Sequence, residues 1–195
     1  DDAAGLLSEL NIAEIDVIGI SFGGMVAQHL AIRHPNLIRK LVLACTSPGG
    51  ETYSSADLLQ LMDLPLEERQ KTWLEMYDTR YQSGSTGKQF VYLLEKLITR
   101  NPSMFPNEAS KGLMRQITAR SSHDLSGDLR KISHRCLVVG GRYDGIAPPE
   151  NLHYLSNNLQ NCELRFFEGG HSFLWEDESA WKSISAFLAE DDDTL

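Results

Sequence analysis

The chain has 195 residues, about the size of one ordinary domain, 42% of them hydrophobic and 23% charged, a mixture that fits a globular protein and excludes a disordered polymer. Eighteen basic residues against 27 acidic ones leave a formal charge of −9, which repels phosphate backbones and argues against nucleic acid as a partner. No apolar run approaches the roughly 20 residues of a membrane helix, so no membrane association is expected.

The chain opens on Asp1-Asp2, without an initiator methionine or a signal peptide. Ala3, Leu6, Leu7 and Leu10 then recur at helical spacing and predict an amphipathic helix. The β-branched run Ile15 to Ile20 predicts a buried strand, Gly23 to His34 a helix stopped by Pro35, and Lys40 to Cys45 a second strand. Strand, helix and strand with short joints form a βαβ unit, so the sheet is expected to be mostly parallel with flanking helices.

Residues 51–125 change character. Leu66 to Tyr77, Gln89 to Arg100 and Asn107 to Arg120 have helical periodicity, with Phe90, Leu93, Leu94, Leu97 and Ile98 as one apolar stripe. Trp73, Met76 and Tyr77 are read as helix packing. The string Ser83 to Lys88 lacks a preceding strand and the glycine spacing of a phosphate loop, and reads as a loop. The segment predicts a helical insertion between two parts of a sheet core, 1–50 and 126–195. The βα rhythm resumes with strands at Arg135 to Gly140 and Cys162 to Phe167 and helices at Pro148 to Leu159 and Glu178 to Glu190. Residues 176–195 carry seven acids and one base, read as a solvated last helix and an acidic tail. Cys45, Cys136 and Cys162 are odd in number and sit in apolar runs, which fits reduced thiols in a cytoplasmic protein better than disulfides or a metal site.

The chemistry concentrates at three strand ends. The first strand runs into Gly19-Ile20-Ser21-Phe22-Gly23-Gly24 and at once into a helix, a G-x-S-x-G string in the strand–turn–helix setting that makes it specific. A tight turn there needs the glycines two before and two after the serine, and lifts the hydroxyl above the sheet at a helix N-terminus. A serine needs a base, and the base an orienting acid. Gly141-Arg142-Tyr143-Asp144 follows the third strand, and Gly169-Gly170-His171 follows the fourth. In an open parallel sheet ligands bind beyond the carboxyl ends of the strands, where Ser21, Asp144 and His171 all fall. Asp124 and Asp128 stay open as alternative acids. His29, His34, His123, His134 and His153 have helical or polar surroundings that give surface roles, and Trp175 is a candidate for the border of the site.

These motifs, with Arg33-His34-Pro35 leading into Leu41-Val42-Leu43, resemble the α/β-hydrolase superfamily in its capped, esterase- and lactonase-like branch, including the 3-oxoadipate enol-lactonases. The resemblance implies Ser21 as nucleophile, His171 as base, Asp144 as its orienter, the Phe22 N–H as one oxyanion-hole donor, and 51–125 as a helical cap. It implies hydrolysis of a small carboxylic ester or lactone through an acyl-enzyme, with no cofactor and no metal. C–C bond hydrolysis, proline iminopeptidase-like chemistry, cofactor-free perhydrolysis, or ligand binding with little turnover remain open on the same residues. The family's first strands, and the loop that donates the second oxyanion N–H, have no counterpart here. The Ile15–Ile20 strand is therefore expected to be an open edge, covered either by an N-terminal portion absent from this sequence or by a partner chain, including a second copy.

Overall fold

In the computed structural model, residues 1–81, 96 and 111–191 are described. In chain order they form α1 (Asp2–Glu9), β1 (Ile15–Ile20), α2 (Phe22–Arg33), β2 (Ile38–Ala44), α3 (Leu58–Met62), α4 (Leu66–Tyr77), α5 (Lys111–Ser121), β3 (Arg135–Gly141), α6 (Pro149–Asn158), β4 (Asn161–Phe167), α7 (Phe173–Glu176) and α8 (Glu178–Ala189). The four strands make one sheet in the order β1-β2-β3-β4, and every neighbouring pair is parallel. The expected helix at Gln89 to Arg100, the loop at Ser83 to Lys88 and the end of the acidic tail lie outside the described residues.

The strand sequences explain the two-sided burial. Leu41 and Leu43 of β2 point to one face, with Val138 of β3, and pack against Ala27 and Leu30 of α2 and Leu152 and Leu155 of α6. Val42 and Ala44, with Leu137 and Val139, point to the other and meet Ile184 and Phe187 of α8. Residues alternate across a strand, so a run with no polar interruption fills both layers at once. Lys40 is fully buried in this layer. Its ammonium donates to the carbonyls of Phe187 and Leu188, each at 3.3 Å, and to that of Glu190, where the end of α8 leaves carbonyls without helical partners.

Among the described residues β1 pairs only with β2, and its outer edge carries no strand. Ile18 on that strand is 38% exposed. α1 forms where helical spacing predicts a helix; Ala4 packs against the core, but no residue of the helix is fully buried, and Leu6 and the following Leu10 are more than half exposed. Two short helices, α3 and α7, carry too few residues to show a period in the sequence.

The chain leaves the sheet after β2 and returns before β3 through a narrow neck. Gly49 bridges both Tyr53 and Asp124, Leu125 N–H donates to the Pro48 carbonyl at 2.8 Å, and Gly50 N–H to the His123 carbonyl at 3.2 Å. Between these points the described residues form α3, α4 and α5 and no strand of the sheet.

Candidate active site

Ser21 occupies the joint between β1 and α2 with φ +53° and ψ −119°, a conformation that L residues rarely adopt. Three hydrogen bonds hold it there. Its N–H donates to the Ala44 carbonyl at 2.8 Å, while its own carbonyl accepts from Gly24 N–H at 2.9 Å and from the Thr46 hydroxyl at 2.8 Å. The close approach that makes the turn possible involves Gly19 and Gly24. A Cβ on Gly19 would lie 2.7 Å from the Gly23 carbonyl oxygen, and one on Gly24 would lie 2.5–2.7 Å from the Thr46 side chain. Gly23 is different: a Cβ there meets nothing within 4 Å. The expectation that the turn needs the glycine two after the serine is therefore corrected, and the crowded position is the next one along.

Asp144 follows β3 and is 2% exposed. Its Oδ1 accepts from the backbone N–H groups of Ile146 at 2.8 Å and Ala147 at 2.9 Å, and its Oδ2 lies 2.8 Å from His171 Nδ1. On the far side of the ring, His171 Nε2 lies 3.0 Å from Ser21 Oγ. The ionised carboxylate only accepts, so the pattern assigns the imidazole proton to Nδ1 and leaves Nε2 to accept from the serine hydroxyl. The alternative acids are engaged elsewhere. Asp124 accepts from the Ser126 N–H and hydroxyl, and Asp128 pairs with Lys131. Phe22 is the first residue of α2, and its N–H has no acceptor within the helix.

Three residues that sequence reasoning passed over hold the acid and base loops together. The segment leaving α4 runs between the two loops: Met76 carbonyl accepts from Gly145 N–H at 2.9 Å, Tyr77 carbonyl from His171 N–H at 2.7 Å, and Thr79 N–H donates to the Tyr143 carbonyl at 2.9 Å. The Tyr77 ring also stands edge-on to the His171 ring, 5.6 Å between centroids, and its phenol bonds the Ser172 hydroxyl. Burial pushes the phenol's pKa up. Helical spacing at Trp73, Met76 and Tyr77 gave no sign of this, because the work is done mainly by backbone groups. Trp175 lies on α7 with 65% of its surface exposed.

Cys45, buried and at φ +40°, ends β2 beside this group. Ligand atoms of Cys45, Asp144 and His171 lie within 4.8 Å of one another. Burial pushes the thiol strongly up. His123, expected at the surface, is buried on the neck instead. Its Nε2 faces the Ser47 carbonyl at 3.2 Å and its Nδ1 faces His29 Nε2 at 3.3 Å. Burial first, then the neighbouring His29, lowers its pKa to about 4.

Comparison with known proteins bears on the fold and the family. The alpha/beta hydrolase fold family matches residues 1–178, and the chain belongs to that family. It is 30% identical to a 2-hydroxymuconate semialdehyde hydrolase of Pseudomonas putida, across 98% of this chain and 68% of that relative. It is 28% identical to a pimeloyl-[acyl-carrier protein] methyl ester esterase of Vibrio cholerae, across 87% of this chain and 68% of the relative. The crystal structure of the enol-lactonase from Burkholderia xenovorans superimposes with a TM-score of 0.71 at 20% identity, covering 97% of this chain and 71% of that one, a likeness of fold. The relatives are hydrolases with varied substrates. No helix among the described residues is long and apolar enough to cross a membrane.

Proposed function

We propose that this chain is a serine hydrolase of small carboxylic esters or lactones, with Ser21 as nucleophile, His171 as base, Asp144 as its orienter and 51–125 as a cap over the site. The observation that carries the reading is the continuous run Asp144 Oδ2, His171 Nδ1, His171 Nε2 and Ser21 Oγ, with links of 2.8 and 3.0 Å. Ser21 Oγ attacks the carbonyl carbon while its proton passes to Nε2. The imidazolium, held by Asp144, returns that proton to the leaving oxygen as the C–O bond breaks. Water then attacks the acyl-enzyme, giving its proton to the same nitrogen, and the acid leaves as Ser21 is restored. The Phe22 N–H supports the oxyanion at the head of α2, where the helix dipole favours negative charge. The steps call for no cofactor, and three free thiols accord with a reducing, cytoplasmic setting.

Turnover of short 4-nitrophenyl esters tests the reading. Multiple turnovers lost in Ser21→Ala are expected; one acylation without turnover would instead make the chain a binding module. A second reading, C–C bond hydrolysis on the same residues, draws on the likeness to the 2-hydroxymuconate semialdehyde hydrolase. It predicts that a vinylogous diketone outcompetes simple esters.

A further inference from the structure

Tyr77 meets the base loop at three points. It is the last residue of α4, where a carbonyl has no donor within its own helix, and that carbonyl accepts the His171 N–H at 2.7 Å. Its phenol and the Ser172 hydroxyl share a hydrogen bond, and Ser172 is 1% exposed. Among the described residues this hydroxyl has no other hydrogen-bond partner. The Tyr77 ring stands at 71° to the imidazole, with 5.6 Å between centroids. Tyr77 therefore touches the main chain of the base, its ring, and the residue that follows it.

The polar partners of the imidazole leave one motion to be restrained. Asp144 Oδ2 at Nδ1 and Ser21 Oγ at Nε2 hold the ring at two points on opposite sides. Two such points leave it free to tilt about the line that joins them, and hydrogen bonds weaken as their angles depart from linear. A contact off that line is needed, and the Tyr77 ring supplies it. The loop itself does not. Gly169, at φ +128°, and Gly170 precede His171, and their tethers stop short of it: Gly169 carbonyl accepts from Tyr143 N–H at 3.0 Å, and Gly170 N–H donates to Glu176 Oε1 at 3.1 Å.

We propose that Tyr77 is a positioning residue for the base: its phenol, bonded to Ser172, sets the ring that keeps the His171 imidazole in line between Asp144 and Ser21. The consequence for turnover rests on the hydrolase reading above; the consequence for the imidazole does not. Tyr77→Phe isolates the phenol, because it keeps the ring and the carbonyl. It leaves the buried Ser172 hydroxyl without a partner, which is costly, so the base loop shifts to recover one. A misplacement of about 1 Å at a reacting group can cost about a hundredfold in rate, and a partial shift of this kind is expected to cost about tenfold.

Two measurements on the parent and Tyr77→Phe test this. With 4-nitrophenyl butyrate, kcat is expected to fall about tenfold and KM to stay within about twofold, the pattern of an interaction realised in the transition state. With nitrogen-labelled histidine at about pH 8, where imidazole is neutral, long-range proton–nitrogen NMR reads the tautomer of His171, assigned against His171→Ala. The parent is expected to hold the Nδ1–H form, and Tyr77→Phe to drift toward an average of the two tautomers. A loss of packing alone would lower the melting temperature and leave both readouts of the folded chain in place. Ser172→Ala breaks the same hydrogen bond from the other side and should match Tyr77→Phe; it decides where Tyr77→Phe fails to fold by circular dichroism. A parent without a dominant Nδ1–H tautomer, an unchanged tautomer in either folded variant, or an unchanged kcat would overturn the positioning role. A parent that turns over no ester loses the hydrolase reading, and the tautomer comparison still decides for Tyr77. A folded Tyr77→Phe chain with the parent's turnover keeps the reading and loses the role.

Discussion

The backbone N–H of His171 donates to the carbonyl oxygen of Tyr77 at 2.7 Å, so the candidate base hangs from the segment that leaves α4. The same segment binds the acid loop through Met76 and Thr79. A Cβ on Gly170 would lie 2.1 Å from that Tyr77 oxygen, which shows how closely the two backbones meet. The segment Met76–Thr79 thus ties the acid loop to the base loop through its own main chain.

The anchor of that segment is an ion pair. Asp78 is 1% exposed and accepts from Arg80 Nε at 2.8 and 3.1 Å, while the Arg80 guanidinium lies 4.1 Å from the Tyr143 ring centroid and 3.4 Å from Glu176. Removing one partner of a buried pair leaves an uncompensated charge, at a cost of about 3–5 kcal/mol. Arg80→Ala is expected to lower stability by about 3 kcal/mol in urea unfolding and to depress ester turnover. A change below about 0.5 kcal/mol, the range of ordinary surface substitutions, would show that the segment is held by its backbone alone.

The turn at Ser21 separates two adjacent glycines. Gly24→Ala places a methyl against Thr46 and is expected to cost about 1–3 kcal/mol, the range of overpacking. Gly23→Ala, on the open side of α2, is expected to be neutral or to stabilise by up to about 1 kcal/mol through helix propensity. Thermal melts of the two variants check the contrast; equal losses would contradict the packing described.

Acid stability follows from His123, whose pKa lies near 4 in the fold. The unfolded chain takes up that proton at about pH 6.5, so below this value the unfolded state binds more protons and stability falls as pH falls. The loss accumulates from about pH 6.5 down to pH 4 and, with solvent screening, amounts to about 2 kcal/mol. Melting curves of His123→Gln against the parent should converge as pH drops through this window. Parallel curves would place His123 outside the stability balance.

Among the described residues no strand pairs with the outer edge of β1, beside the exposed Ile18. Such an edge recruits another strand. We propose that this chain associates with itself there, so sedimentation should show mass rising with concentration and Ile18→Lys should suppress it. A chain monomeric at every concentration would contradict this.

Much of this was legible in the residues. The runs Ile15 to Ile20, Lys40 to Cys45 and Arg135 to Gly140 are short, apolar and β-branched, and glycines mark where each chemistry-bearing loop turns, so strand ends and site residues could be read together. The Tyr77–His171 contact could not, since a backbone carbonyl has no sequence signature. The burial of His123 depends on the neck closing between Gly49 and Asp124, a contact between residues 75 apart.

The proposed chemistry stands on Ser21 being an activated nucleophile. Intact-mass measurement after exposure to a fluorophosphonate probe tests it most directly, run on the parent chain, Ser21→Ala and His171→Ala. One stoichiometric adduct is expected, located at Ser21, absent from Ser21→Ala and strongly slowed in His171→Ala. A folded, monodisperse chain that takes no adduct, or that takes it equally in Ser21→Ala, would contradict it.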